Sequence, residues 1–136
     1  MVQRVDDYND TLYSLPTMKR DPAALLPLTP AMFQVLIALA DGEKHGYAII
    51  KEVARRTGGA EQLRAGTLYT IIRRFVQEGV IVESDERPDP ALDDERRHYY
   101  RLTDFGREVA RAEGQRMQTV LGMARAKNLI PRGRPA

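Results

Sequence analysis

Cysteine and tryptophan are absent from this chain, and histidine occurs only twice, as His45 and His98. Without cysteine there can be no disulfide, no thiolate metal site and no thiol nucleophile. Two histidines are too few for a histidine-rich metal centre, and no cofactor or metal is expected. No apolar run approaches the ~20 residues needed to cross a bilayer. The opening residues MVQRVDDYND lack an apolar core behind a basic start, so no secretory signal is expected. These absences leave a cytoplasmic setting, away from any membrane, as the expectation. Catalytic patterns are missing too. There is no nucleophile beside a base, no glycine-rich phosphate loop and no metal-ligand spacing, so an enzyme is not expected. The acids Asp93, Asp94 and Glu95 read as a solvated loop.

What remains is 136 residues that are 43% hydrophobic and 29% charged, the composition of one folded domain with appendages. The net charge of +2 conceals a strong polarity: residues 1–28 carry −1, 29–82 carry +2, 83–95 carry −6 and 96–136 carry +7. Placement of charge is therefore more informative than its sum.

Residues 1–27 are expected to form an N-terminal arm. Tyr8, Leu12, Tyr13 and Leu15 could line one face of a short helix, the alternative being a frayed terminus. Asp21-Pro22 can start a helix, but Pro27 and Pro30 limit it to about a turn. Thr29 as cap and Pro30 at the first helical position open a first full helix, with Met32, Val35, Leu36, Leu39 and Ala40 at helical spacing and Gly42 beyond its end. A second helix is expected from about Gly46 to Thr57, with Tyr47, Ile50, Val53 and Ala54 inward and Gly58-Gly59 as its stop. A third is expected from about Thr67 to Glu78. Leu68, Ile71, Ile72, Phe75 and Val76 mark its inner stripe, and Gly79 ends it. The period then changes. Val80-Ile81-Val82 reads as a strand, residues 85–95 as a polar, proline-broken loop, and residues 98–102 as the returning strand. Thr103 caps a fourth helix that could run to Leu129, before Pro131.

This order predicts a mainly α chain with a small β-hairpin. It is a winged helix-turn-helix over residues 28–103, with a C-terminal dimerisation helix over 104–130 and a disordered tail at 131–136. In such folds the outer side of the third helix enters the DNA major groove.

Three stretches, HGYAIIKEV (45–53), AGTLYTIIRRFVQEGVI (65–81) and RRHYYRLTDFG (96–106), together resemble the PadR family of bacterial transcriptional regulators. The resemblance covers residues 28–125, and with one helix after the wing the chain looks like the family's short-tailed branch. It implies a winged helix-turn-helix with a C-terminal dimerisation helix and mostly repressive binding to palindromic operators. Some members release DNA when a small molecule binds. Two features depart from the pattern. Thr70 stands where the family usually has proline after GTLY, and the wing tip is strongly acidic.

DNA binding needs cations or helix N-termini against phosphates, and a few side chains at base edges. With the apolar stripe of the third helix inward, Tyr69, Thr70 and Arg73 face out. The resemblance points to Thr67 and Tyr69 as DNA contacts, and Arg64, Thr70, Arg73 and Arg74 join them as candidates. Thr67 could instead be only a cap, and the arginines only solvated. On the second helix Lys51 and Arg55 share a face that could follow the phosphate backbone; Tyr47 reads as a core residue and His45 as a turn or cap residue. The carboxylates of the wing tip should stay off DNA, leaving Arg87 or, better, Arg96 and Arg97 as phosphate contacts. On the fourth helix Met117, Val120, Leu121 and Ala124, together with Phe105 and Val109, form a stripe that calls for a second copy of the chain. Gly114 and Gly122 would allow close helix approach. The functional expectation is a homodimeric repressor of double-stranded DNA, relieved by a small aromatic or drug-like effector held between first-helix and fourth-helix residues. The competing expectation is a winged-helix module that binds protein and not an operator.

Overall fold

The computed structural model describes residues 20–84 and 98–131. Tyr8, Leu12, Tyr13 and Leu15 of the expected arm, the wing tip with Arg87, Arg96 and Arg97, and the tail from residue 132 lie outside the described residues.

The described chain holds four α-helices and a small antiparallel sheet: α1 (Pro30–Leu39), β1 (Lys44–His45), α2 (Gly46–Arg56), α3 (Ala65–Gln77), β2 (Ile81–Ser84), β3 (Tyr99–Leu102) and α4 (Asp104–Ala126). A single 3-10 turn, Pro22–Leu25, precedes them, its first N–H groups capped by Asp21. The helix starts follow local chemistry. The Thr29 hydroxyl accepts from Met32 N–H at 3.1 Å with Pro30 at the first helical position. Gly79 adopts φ +73°, a left-handed conformation that glycine enters without steric cost, and turns the chain from α3 into β2.

The core lies between α1, α2 and α3 and is closed from below by β2, β3 and the root of α4. Val35, Leu36, Ile49, Leu68, Phe75, Val80 and Val109 are all essentially inaccessible. Strand order is β1-β3-β2, with Ile81 opposite Leu102 and Glu83 opposite Tyr100. The wing is thus three-stranded among the described residues: Lys44 and His45 add to β3 opposite Tyr100 and Tyr99. Two residues carry no alternation to read, so this strand had no signal in the sequence.

Several expectations need correction. The third helix begins two residues earlier than expected, at Ala65, and its cap position is Arg64; Thr67 lies inside the helix and does not cap it. α2 starts at Gly46 as expected, but its buried face consists of Gly46, Ile49, Glu52 and Val53, so of the expected inward residues Val53 is buried, Ile50 and Ala54 are half-buried and Tyr47 is not inward. Tyr47 is consequently 60% exposed and is not a core residue. Ala40 and Val76 are also on the surface, and α4 ends at Ala126, short of Leu129.

The root of α4 is fastened at several points. Thr103 caps it: its hydroxyl accepts from Gly106 N–H at 2.9 Å and donates to the Gly79 carbonyl at 2.5 Å. Gly106 sits directly on the backbone of Val80; a Cβ there would stand 1.9 Å from the Val80 oxygen. The next residue, Arg107, donates two N–H groups to the Ala40 carbonyl, each at 3.3 Å. Glu113, with no exposed surface, accepts from Leu28 N–H at 2.8 Å and from Arg116 at 2.5 Å. The Arg116 hydrogen bond chiefly, with help from the Leu28 N–H, holds the Glu113 carboxyl below its ordinary value of 4.5.

Two predictions follow from this root. Gly106→Ala forces a methyl group into a backbone carbonyl that cannot swing away, and is expected to cost about 3 kcal/mol, a fall of roughly 10 °C in melting temperature. Glu113→Gln tests the buried carboxylate. A lowered folded-state pKa means that the contribution is complete above the unfolded value and is lost as pH falls below about 4.5 through the folded value. The variant should be about 1–2 kcal/mol less stable near neutrality, and its deficit should shrink on acidification. Thermal melts of both proteins from about pH 7 down to about pH 3 read this out.

Candidate nucleic-acid interface

The outer side of α3 is built by the same periodicity that buries its inner side. Leu68, Ile71, Ile72 and Phe75 are buried, and Thr67, Tyr69, Thr70, Arg73 and Arg74 are exposed between them. Arg64 is exposed just ahead of the helix. Among the described residues neither Arg64 nor Arg73 has a carboxylate partner. Arg74 differs: its Nε lies 3.1 Å from Glu78 Oε1, so part of its charge is answered within the helix. The Thr70 hydroxyl donates to the Gly66 carbonyl at 3.0 Å, and its lone pairs stay available to a donor from outside. At Gly66 an added Cβ would meet nothing within 4 Å, so this glycine leaves the front of α3 open and serves no packing inside the subunit.

Tyr69 links α3 to α2. Its hydroxyl lies 2.7 Å from where a Cβ on Gly46 would stand, so only glycine at position 46 leaves the phenol this place. Beside it, the start of α2 gathers further groups. His45 Nδ1 accepts from Ala48 N–H at 3.2 Å, so the ring acts as the helix cap, as expected. The imidazole stacks parallel to Tyr47 at 6.4 Å and meets Tyr99 edge-on at 5.4 Å. Lys51, one turn on, stands 5.4 Å from the Tyr47 ring centroid. Tyr47 and Lys51 therefore form an exposed aromatic and cationic pair at the head of α2. Lys51 is exposed here as expected, whereas Tyr47 lies outside the core because Gly46, Ile49, Glu52 and Val53 take the buried side of α2.

Behind this face stands Tyr100 of β3. Burial first, then the Glu83 carboxylate and Tyr69, push its phenol up to about 12, so it remains a neutral support. At the ends of the wing strands His98 Nδ1 and Glu83 Oε2 are 2.6 Å apart. Among the described residues no three acidic or histidine side chains converge as a metal site, and no helix is long and apolar enough to cross a membrane.

Residues 35–112 match the model of the transcriptional regulator PadR-like family. The chain belongs to this family. PadR-like proteins are transcription regulators and not enzymes. The fold of this PadR-like chain is also found in solved structures. A transcriptional regulator from Clostridium thermocellum superposes with a TM-score of 0.60 at 22% identity, covering 71% of this chain and 87% of that one. A PadR family transcription regulator from Clostridium difficile gives 0.60 at 22% identity, over 72% and 97%. Bacillus subtilis PadR, solved in complex with operator DNA, gives 0.50 at 22% identity, over 60% and 45%. At such identities the likeness speaks for the fold, a winged helix-turn-helix. A curated relative from Lysinibacillus sphaericus, itself uncharacterised, is 29% identical over 73 residues; the match covers 54% of this chain and 64% of that protein.

The dimer candidates on α4 fall into two groups. Val109 has no exposed surface and Phe105 packs against the subunit core, so Val109 is corrected from a dimer contact to a core residue. Its place in the helix root, under α1 and β3, is the reason. Val120 and Leu121 are exposed, as is Met123, which lies between the expected positions; Met117 and Ala124 are half-buried. Gly114 and Gly122 face open space.

Proposed function

We propose that this PadR-like chain is a dimeric, sequence-specific DNA-binding regulator that acts in the cytoplasm as a repressor. The observation that carries the reading is the outer side of α3. It presents Thr67, Tyr69, Thr70 and Arg73 to solvent on a helix whose other side is fully committed to the core. Arg73 and Thr70 would meet base edges, and Arg64, Thr67, Lys51 and Arg74 phosphates, with Tyr69 and Tyr47 as aromatic contacts on the sugar–phosphate backbone. Arg96 and Arg97, which lie outside the described residues, extend the proposal as further phosphate contacts. A relative of the same fold, Bacillus subtilis PadR, was solved with operator DNA, which supports this reading.

The second half of α4 supports the dimer. Val120, Leu121 and Met123 expose a contiguous apolar strip that the subunit does not cover, and Met117 and Ala124 flank it. A two-fold pair would bring two α3 helices to successive major grooves about 34 Å apart, matching a palindromic operator. Relief by a small aromatic or drug-like effector is the finest part of the proposal. Beside α4, and against the segment ahead of α1 rather than α1 itself, an open groove of about 470 Å³ lined by Ala23, Leu26, Pro27, Ala112, Gln115 and Arg116 offers such a molecule largely apolar contact.

Footprinting on the DNA upstream of the protein's own gene tests the reading. A protected, two-fold symmetric site is expected, with affinity falling about a thousandfold between roughly 50 and 200 mM salt as counterions are released. Arg73→Glu is expected to lower affinity by roughly 100-fold without lowering the melting temperature. No protected site at low salt, or equal binding by the variant, would reject it. Leu121→Glu is expected to yield monomers in sedimentation velocity, with weakened operator binding as a consequence. A wild-type monomer at micromolar concentration would remove the dimer from the proposal.

A further inference from the structure

Two arginines distant in sequence grip the C-terminal carbonyls of two different helices, and both act through α4. Arg20, ahead of the 3-10 turn, donates from Nη1 to the Glu78 carbonyl at the end of α3. Its guanidinium carbon also lies over the Phe105 ring in the first turn of α4, 3.9 Å from the centroid. Gly79 leaves room for it: a Cβ there would stand 2.7 Å from Arg20 Nη2. Arg107, on the first turns of α4, places both Nη groups on the Ala40 carbonyl at the end of α1. A helix C-terminus carries unpaired carbonyls and the negative end of the dipole, so a guanidinium is well matched to each position. The planar fork holds direction as well as charge, which an ammonium does not.

We propose that Arg20 and Arg107 are positioning residues that set the angle between the recognition helix α3 and the helix α4. The proposal rests on the dimeric DNA-binding reading above. Thr103 and Gly106 pin the first turn of α4 on Val80, and Val109 and Glu113, both without exposed surface, hold its next turns against the core and the Leu28 N–H. None of these contacts reaches the C-terminal carbonyls of α3 or α1; Arg20 and Arg107 supply those two attachments and so fix the direction of α4 relative to the helix ends. α4 has 23 residues and is about 35 Å long. A small rotation at its root therefore becomes a displacement of the recognition helices in a pair joined through its far end. The arginines contribute no base contact; they determine which half-site spacing the pair can reach.

The test uses the full chain. Arg20→Met and Arg107→Met keep the aliphatic stem and remove the donors. Because the protein has no cysteine, spin labels at Thr67→Cys on α3 and Gln118→Cys on α4 report one distance per subunit when labelled chain is diluted into unlabelled chain. The wild-type distribution is expected to be narrow, that of each methionine variant broader, and that of Arg20→Lys intermediate. On the footprinted DNA and on copies lengthened by one or two central base pairs, the wild type should prefer its native spacing by roughly tenfold, and the variants should lose that preference. Distance distributions as narrow as the wild type would overturn the proposal. So would methionine variants that fail to fold, since the arginines would then support folding and not geometry. If the wild type binds no DNA the functional reading fails, while the distance measurement still decides the role of the arginines.

Discussion

The carbonyl oxygen of Val80 lies where the recognition helix, the wing and the last helix meet. It accepts the Thr103 N–H at 3.1 Å, has the Thr103 hydroxyl at the same distance, and rests against Gly106 so closely that no side chain fits between. Because Val80 follows the turn at Gly79, this contact joins the end of α3 to the start of α4 with no flexible spacer. The core packs around it: Val80 and Val109 are both inaccessible, one on each side of the junction. Burial of this kind leaves no room for partial openings, so the wing and α4 move, if at all, with the body of the subunit.

Polar groups complete what apolar packing begins. Glu52 on α2 is buried against Arg56 and lies 3.5 Å from Lys44, which itself donates to the Ala38 carbonyl at 2.6 Å. That set ties the two-residue strand β1 to α1 and α2. Glu113 does the same for the segment ahead of α1, through Leu28. Each buried carboxylate is answered by an arginine on its own helix, at i+4 for Glu52 and i+3 for Glu113, so the local partner compensates burial while the distant one supplies specificity of place.

Periodicity and caps made most of the fold legible. The stripe Leu68, Ile71, Ile72 and Phe75, the caps Thr29, His45 and Thr103, and the stop at Gly79 all lie where local chemistry places them. The outer face of α3 follows automatically from its inner face, so Tyr69, Thr70 and Arg73 were readable as exposed. The reading failed where long-range contacts decide. Tyr47 is apolar enough for a core, but Gly46, Ile49, Glu52 and Val53 take the buried side of α2 and Tyr47 faces out. Val109 fits the stripe of α4 by spacing, yet the root of that helix is already occupied by its own subunit. Nothing local singles out Glu113 and Arg107, because their partners, Leu28 and Ala40, lie 85 and 67 residues away.

Apart from Tyr69, which packs over Gly46, the outward residues of α3 take almost no part in holding the chain together. Thr70 bonds only to its own helix, Arg73 has no carboxylate partner among the described residues, and a Cβ at Gly66 would meet nothing within 4 Å. Mutational drift at these positions is therefore nearly free of folding cost, unlike drift at Gly46 or Gly106. Gene duplicates of such a protein can diverge in what they recognise while inheriting an unaltered body, one substitution at a time.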